Sequence, residues 1–152
     1  MRQIVQRALI IVIGGAALGL AVNLVSPRRI PFITPPKATI KPSETIPLEQ
    51  AKKLWGAAFF LDARAPADYA AGHISGALNL PAEEFDAHYP QVATLLTPES
   101  VIVCYCDGTE CDLSKQLSES LHQRGFTNVH ILVSGWTSWH GAGYPTSTGE
   151  QP

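Results

Sequence analysis

One cysteine of this chain occupies a position that suits a nucleophile. Cys106 ends the apolar run Val101–Tyr105 and opens a polar stretch that leads into a helix-like segment. A thiol at a strand-to-helix turn meets backbone N–H groups that lack a partner in the helix, together with the positive end of the helix dipole. Both favour the thiolate, which is the reactive form, so the pattern predicts sulfur chemistry at Cys106.

The six residues after Cys106 predict a loop that can hold a charged sulfur. These loop residues are Asp107, Gly108, Thr109, Glu110, Cys111 and Asp112. Gly108 permits a tight curve, and successive backbone N–H groups can form an anion-holding nest. The three acids act in the opposite direction, because they disfavour a neighbouring thiolate and repel a dianionic donor such as thiosulfate.

The other two cysteines have different expected roles. Cys111 is a second thiol on the same loop, so it can form a reversible disulfide with Cys106 or attack a persulfide there and release sulfide. A disulfide requires the two Cα atoms to come within about 7 Å. Cys104 alternates with Ile102 along the strand and is expected to be a small buried hydrophobe. The paired-cysteine spacing of zinc sites is absent, so we predict no metal site.

Short apolar runs alternate with helix-like segments through the second part of the chain. Strands are expected over 58–61, 77–80, 101–105 and 129–133, and helices over 48–54, from Pro81 onward, over 112–124 and over 135–141, with a polar loop after 61. This order predicts an α/β domain with a mostly parallel central sheet, helices on both faces and a site at the carboxyl ends of the strands.

The amino-terminal part differs in composition and charge. Residues 8–27 carry no charged side chain, so we predict a transmembrane helix over about 8–25 within an anchor at 1–25, with a cleaved signal peptide as the alternative. A proline-rich linker at 26–43, a domain at 44–146 and a tail at 147–152 follow. Residues 1–43 hold six basic and no acidic side chains, whereas 44–152 hold five basic and thirteen acidic ones.

The single apolar segment predicts a single-pass membrane protein. The net charge of +6 on its flanks suits anionic lipid headgroups, and the net charge of −8 on the domain argues against nucleic-acid binding. The domain is expected on the extracytoplasmic side. A glycine pair in the apolar segment, Gly15 and Gly19, leaves dimerisation open.

Three stretches resemble rhodanese domains. Leu61–Pro81 is similar to the entry motif of that family, Val101–Cys106 to its strand and nucleophile, and Gly135–Trp139 with Gly143–Pro145 to its closing signature. The resemblance covers about residues 44–145. It implies a single-domain rhodanese-like fold without metal or cofactor, in which Cys106 accepts a sulfane sulfur as a persulfide and passes it to a thiol acceptor. The implied donor is a polysulfide, a persulfide or thiosulfate.

The resemblance also assigns supporting roles. Asp62 and Arg64 match family positions at a strand end and are expected to pair and brace neighbouring loops, while His73 is expected to fix its loop by hydrogen bonds. One departure matters, because active rhodaneses commonly place an arginine five residues after the nucleophile, where this chain has Cys111. Two alternatives therefore stay open: thiol–disulfide or persulfide-reductase chemistry by Cys106 and Cys111, and a catalytically silent, membrane-tethered interaction module.

Overall fold

The computed structural model describes residues 2–3, 6–7, 45–108 and 112–152. Residues 2–3 and 6–7 are helical. The chain divides into two compact units, Met1–Lys37 and Ala38–Pro152. The membrane helix predicted over 8–25 and the linker over 26–43 lie outside the described residues. Within the described ranges, no helix has the length and apolar character needed to cross a membrane.

The second unit alternates strands and helices. In chain order these are β1 (Thr45–Ile46), α1 (Leu48–Leu54), β2 (Phe59–Asp62), α2 (Pro66–Ala71), β3 (His73–Ile74), β4 (Leu78–Asn79), a 3₁₀ turn (Ala82–Glu84), α3 (Phe85–Ala93), β5 (Ile102–Tyr105), α4 (Leu113–Gln123), β6 (Val129–Leu132), α5 (Gly135–Gly141) and β7 (Thr146–Ser147).

The central sheet has five parallel strands in the order β1-β6-β5-β2-β4. One face packs against α3 and α4, and the other against α1 and α5. The side chains of strand β5 alternate between two hydrophobic cores. Ile102 and Cys104 lie in the core on the α3 and α4 side, and Val103 and Tyr105 lie in the core on the α1 and α5 side. Alternate side chains of a strand point to opposite faces, and all four residues are fully buried. The predicted α/β architecture is confirmed.

Some elements differ from the sequence-based expectation. The predicted polar loop after β2 contains helix α2, which begins at Pro66, a residue that suits the first turn of a helix. Strand β1 was not predicted, and β3 pairs with β7 in a separate antiparallel ribbon. Two-residue strands carry no periodicity to detect. The segment opened by Pro81 is a 3₁₀ turn before it becomes α3.

The position of β5 places the predicted nucleophile at the middle of the sheet. Strand β5 is flanked by β6 and β2, with Cys104 opposite Ile131 on one side and Leu61 on the other. Since parallel strands end at one edge, the residues that follow β2, β5 and β6 gather there.

Candidate active site

Cys106 directly follows β5 and is only 2% exposed. It is disulfide-bonded in the structure, whereas Cys104 is a buried free thiol. Burial raises the pKa of Cys104, which keeps that thiol protonated and supports its predicted role as a core residue. The low exposure of Cys106 follows from its packing within the core beneath α3 and α4. Cys111, with Thr109 and Glu110, lies outside the described residues.

A serine that was not predicted approaches the sulfur of Cys106. Ser114 Oγ lies 3.3 Å from Cys106 Sγ, and Ser114 is itself 3% exposed. Because a disulfide sulfur has no proton, the hydroxyl is the donor. Ser114 belongs to the first turn of α4, an 11-residue helix whose first backbone N–H groups have no acceptor within the helix. The same hydroxyl and helix end are suited to stabilise a thiolate or persulfide anion.

The loop after Cys106 is attached to the neighbouring helix α5. The backbone N–H of Trp136 donates to the carbonyl oxygen of Cys106 over 2.9 Å, and the Thr137 hydroxyl donates to the Asp107 carboxylate over 2.5 Å. Gly108 has a φ of +69°, the left-handed conformation that glycine adopts at little cost, so the predicted tight curve is present. Asp107 is exposed.

At the other end of the loop, Asp112 occupies the N-cap position of helix α4 without a side-chain capping hydrogen bond, and its carboxylate contacts a cation. Lys115 Nζ lies 3.0 Å from a carboxylate oxygen of Asp112, an i to i+3 pair on the helix surface. This ion pair offsets part of the negative charge that the sequence places around Cys106. Pairs of this kind contribute little to stability, so its effect is mainly on the local potential.

Asp62 and Arg64 form the predicted ion pair at the carboxyl end of β2. Arg64 Nη2 lies 2.6 Å from Asp62 Oδ2, Nε lies 3.0 Å from Oδ1, and Nη2 also donates to the carbonyl oxygen of Gly72 over 2.7 Å. Its guanidinium carbon lies 5.1 Å from the centre of the Trp136 ring. Burial alone would lower the pKa of Arg64, but hydrogen bonding to Asp62 and its charge raise it above the usual value. Arg64 therefore braces the rim and is not open to an anionic ligand.

His73 is fully buried in β3. Its Nδ1 lies 2.9 Å from the carbonyl oxygen of Tyr69, and its ring stacks on the Tyr69 ring with centres 3.8 Å apart. The hydroxyl of Tyr69 donates to the carbonyl oxygen of Ala77, so the pair holds together the segment between α2 and β4. These contacts agree with a structural role for His73.

Sequence reasoning placed Cys106, Asp62 and Arg64 at strand ends, where the structure has them, but missed the contacts from the helices. The buried side chains of α4 follow helical spacing, as Ser114, Leu117, Ser118 and Leu121. Two small polar residues within an otherwise apolar stripe are the signal that would have identified Ser114. Thr137 carries no comparable signal, because its contact depends on how α5 packs beside β5.

The geometry defines a class of protein before any comparison. It is a parallel α/β domain with a cysteine at the carboxyl end of its central strand and a helix N-terminus beside that cysteine. The rhodanese-like domain model matches residues 47–142, and the chain belongs to the rhodanese-like domain family.

Several relatives support this membership. The thiosulfate sulfurtransferase GlpE of Pseudomonas paraeruginosa is 36% identical over 109 residues, covering 67% of this chain and 89% of that protein. The HTH-type transcriptional regulator Rv0324 of Mycobacterium tuberculosis is 32% identical over 94 residues, which are 62% of this chain but only 39% of that protein. The crystal structure of the Alr3790 protein from Anabaena has a TM-score of 0.59 at 28% identity, covering 68% of this chain and 80% of that one.

Proposed function

We propose that this chain is a rhodanese-like sulfurtransferase that carries a sulfane sulfur as a persulfide on Cys106. The observation that supports it best is the contact of the Cys106 sulfur with the Ser114 hydroxyl, which lies 3.3 Å away in the N-terminal turn of α4. Similarity to the GlpE thiosulfate sulfurtransferase over 67% of the chain adds to it. No cofactor is needed for this chemistry.

The transfer has two balanced steps. The Cys106 thiolate attacks the outer sulfur of a donor R–S–SH, the donor S–S bond breaks, and R–S⁻ leaves with the electron pair. The persulfide Cys106–S–SH then gives its outer sulfur to an acceptor thiolate, and the Cys106 thiolate is regenerated. Ser114 and the N–H groups of α4 stabilise the negative charge on sulfur in both steps.

A direct test measures sulfur on the protein. The full chain in a non-ionic detergent is reduced, exposed to cysteine persulfide or to thiosulfate, and analysed by intact mass with peptide mapping of all three cysteines. We expect one added sulfur atom on Cys106 and none in a Cys106→Ser variant. A protein that gains no sulfur and forms no new disulfide with any donor would instead be the silent membrane-tethered module.

A second candidate function is supported by the oxidation state of Cys106. Cys106 is disulfide-bonded and Cys104 is a free thiol, and we propose Cys111 as the thiol that reacts with Cys106. In this function the Cys111 thiolate attacks the inner sulfur of the Cys106 persulfide, a Cys106–Cys111 disulfide forms, and HS⁻ leaves. An external protein dithiol then reduces the disulfide and is itself oxidised.

The Cys111→Ser variant separates the two functions. If Cys111 takes part, the variant retains sulfur on Cys106 and releases no sulfide in the absence of another thiol, whereas the unmodified chain releases one sulfide for each disulfide formed. If Cys106 acts alone, the variant and the unmodified chain transfer sulfur to an added thiol at equal rates. Sulfide is measured directly, and the disulfide by peptide mapping without reduction.

The amino-terminal segment is proposed to tether this chemistry to a membrane, with the domain extracytoplasmic. The support is the uncharged segment over 8–27 between basic residues. Labelling intact cells with an impermeant thiol reagent tests the orientation. Labelling of the domain before lysis would agree with the proposal, and labelling only after lysis would contradict it.

A further inference from the structure

A fixed negative charge lies beside the proposed sulfur carrier. Asp107 directly follows Cys106, its side chain is exposed, and its carboxylate accepts a 2.5 Å hydrogen bond from the Thr137 hydroxyl. Thr137 is itself anchored, since the preceding residue, Trp136, donates its backbone N–H to the carbonyl oxygen of Cys106. The carboxylate of the residue next to Cys106 is thus held against helix α5.

The cations at this edge are already engaged. Among the described residues at the rim, 62–64, 106–108, 112–115 and 134–137, the basic side chains are Arg64 and Lys115. Arg64 is paired with Asp62 and the Gly72 carbonyl, and its side chain is 7% exposed. Lys115 is paired with Asp112.

These pairs leave Asp107 without a hydrogen-bonded cation, although its charge also acts on Arg64 and helps to raise the pKa of that residue. Three carboxylates, those of Asp62, Asp107 and Asp112, face two cations, Arg64 and Lys115, so the described rim has a net charge of −1. Of these acids, Asp107 is the one without a cation partner at hydrogen-bonding distance, and it is exposed to an approaching reactant.

We propose that Cys106 takes its sulfur from carriers in which the reacting sulfur lies next to a positive charge, and that Asp107, held by Thr137, determines this specificity. The inference rests on the proposed function, because it names the substrate class of the same site. It disfavours thiosulfate, a dianion, and favours the persulfide of an aminothiol or of a thiol flanked by basic groups.

The chemistry of the leaving group gives the physical reason. When the Cys106 thiolate attacks R–S–SH, negative charge moves onto the departing R–S⁻. A nearby carboxylate repels this charge, and a cation on R offsets the repulsion. Two unit charges about 4 Å apart in water interact by an energy of about 1 kcal/mol, which corresponds to about fivefold in rate, and the interaction is stronger at a protein surface. We therefore expect the reaction rate to change about three- to tenfold for each unit of charge on the carrier.

The test uses small thiol reagents of similar size and different charge. In the full chain carrying Cys111→Ser, in non-ionic detergent, the rate of Cys106 modification is measured with methanethiosulfonates bearing a trimethylammonium, a methyl or a sulfonate group. Each rate is divided by that of the free thiol 2-mercaptoethanol, which removes intrinsic reagent reactivity. The cation-to-anion ratio spans two charge units, so we expect a normalised ratio of about 10 to 100 that falls in high salt.

Three variants assign the effect. Asp107→Asn should lower the ratio at least about threefold, and Thr137→Val, which removes the hydroxyl but keeps the shape, should lower it less, because the carboxylate remains but is no longer held. Glu99→Gln is the matched control, since Glu99 is an exposed carboxylate that precedes β5 and lies toward the opposite edge of the sheet. A normalised ratio near 1, or one that Asp107→Asn leaves unchanged, would overturn the inference.

A second arm separates this inference from the proposed function. Sulfur on Cys106 is measured after exposure to cysteamine persulfide, glutathione persulfide or thiosulfate, and we expect loading to decrease in that order. Equal loading by all three would overturn the inference and leave the proposed function standing. If the chain carrying Cys111→Ser shows a reagent ratio that depends on Asp107 but gains no sulfur from any donor, the proposed function is wrong and only the charge preference of the Cys106 thiol remains.

Discussion

At the scale of single residues, the contact between Ser114 and Cys106 is the feature that bears most directly on reactivity. The hydroxyl donates to sulfur from a position that is 3% exposed, so water does not replace it easily. Replacing Ser114 by alanine removes a hydrogen bond worth about 1 kcal/mol, which corresponds to about fivefold in thiolate population. We expect alkylation of reduced Cys106 at neutral pH to slow by about this factor.

Helix α4 supplies a matched control for that change. Ser118 lies one turn further along the same face and is also 3% exposed. Ser118→Ala is the same chemical change without the sulfur contact, so it should leave the alkylation profile of Cys106 unaltered. Equal profiles for the two variants would mean that the Ser114 hydroxyl does not act on the sulfur.

Unlike reduced Cys106, Cys104 should not react with alkylating reagents in the native protein. It is fully buried between β2 and β6, and burial raises its pKa, so the thiol stays protonated and out of reach of reagents. We expect no alkylation of Cys104 in the native protein at pH 8 and complete alkylation in urea. Timed alkylation with peptide mapping checks this, and modification of Cys104 at the rate of a free thiol in native buffer would contradict its assignment to the core.

The sequence predicts which residues lie at the candidate site better than it predicts the contacts that they make. Cys106 and Asp62 end apolar runs, so their positions at strand ends followed from those runs, whereas Arg64 was assigned through its match to a rhodanese family position. The contacts of Ser114 and Thr137 depend on how two helices pack beside β5, which no local pattern encodes. The loop residues 109–111 lie outside the described part, so the predicted role of Cys111 stays a prediction.

At the scale of elements, the close approach of α5 to β5 shapes the site. Gly135 opens α5, and a Cβ atom added there would lie 2.6 Å from Tyr105 Cβ and 2.8 Å from the carbonyl oxygen of Cys106. Backbone or side chain must therefore shift, which costs about 1–3 kcal/mol in a packed core. We expect Gly135→Ala to lower the free energy of unfolding by that amount and to change Cys106 alkylation, because the Trp136 N–H moves away from the Cys106 carbonyl.

The same helix contains the control. Gly141 ends α5, and a Cβ added there would meet nothing within 4 Å. Gly141→Ala should therefore leave both the urea midpoint and the alkylation rate close to those of the unmodified chain, or raise stability slightly through reduced unfolded-state entropy. If both glycine variants behave alike, the tight approach at Gly135 has no role in placing the loop.

Element prediction succeeded where the apolar pattern is long enough. Helix α5 begins and ends at the expected residues, and the main strands β2, β5 and β6 shift by one residue at most. Helix α2 was missed because six residues with four alanines or prolines, PADYAA, carry no amphipathic repeat. Strand β7 was missed because its two residues form a ribbon with β3 only through long-range pairing.

At the scale of the whole molecule, two buried tyrosines link stability to alkaline pH. Burial, followed by the charge of Asp62, raises the pKa of Tyr69 to about 12 and raises that of Tyr105 further. Tyr69 donates to the carbonyl oxygen of Ala77, and the Tyr105 oxygen accepts from the backbone N–H of Ile74. Both hydroxyls thus tie separate parts of the domain together in their neutral form.

The direction of the pH dependence follows from proton binding. The folded state keeps the protons of Tyr69 and Tyr105 at pH values where the unfolded chain, with a tyrosine pKa near 10, loses them. The stabilisation is therefore complete below pH 10 and is lost as the pH rises toward about 12. We expect urea midpoints to fall steadily above pH 10 and less steeply in Tyr69→Phe, which loses a hydrogen bond and starts from a lower midpoint. This account would be contradicted if the absorbance showed all four tyrosines ionised at a pH where the circular dichroism spectrum is still native.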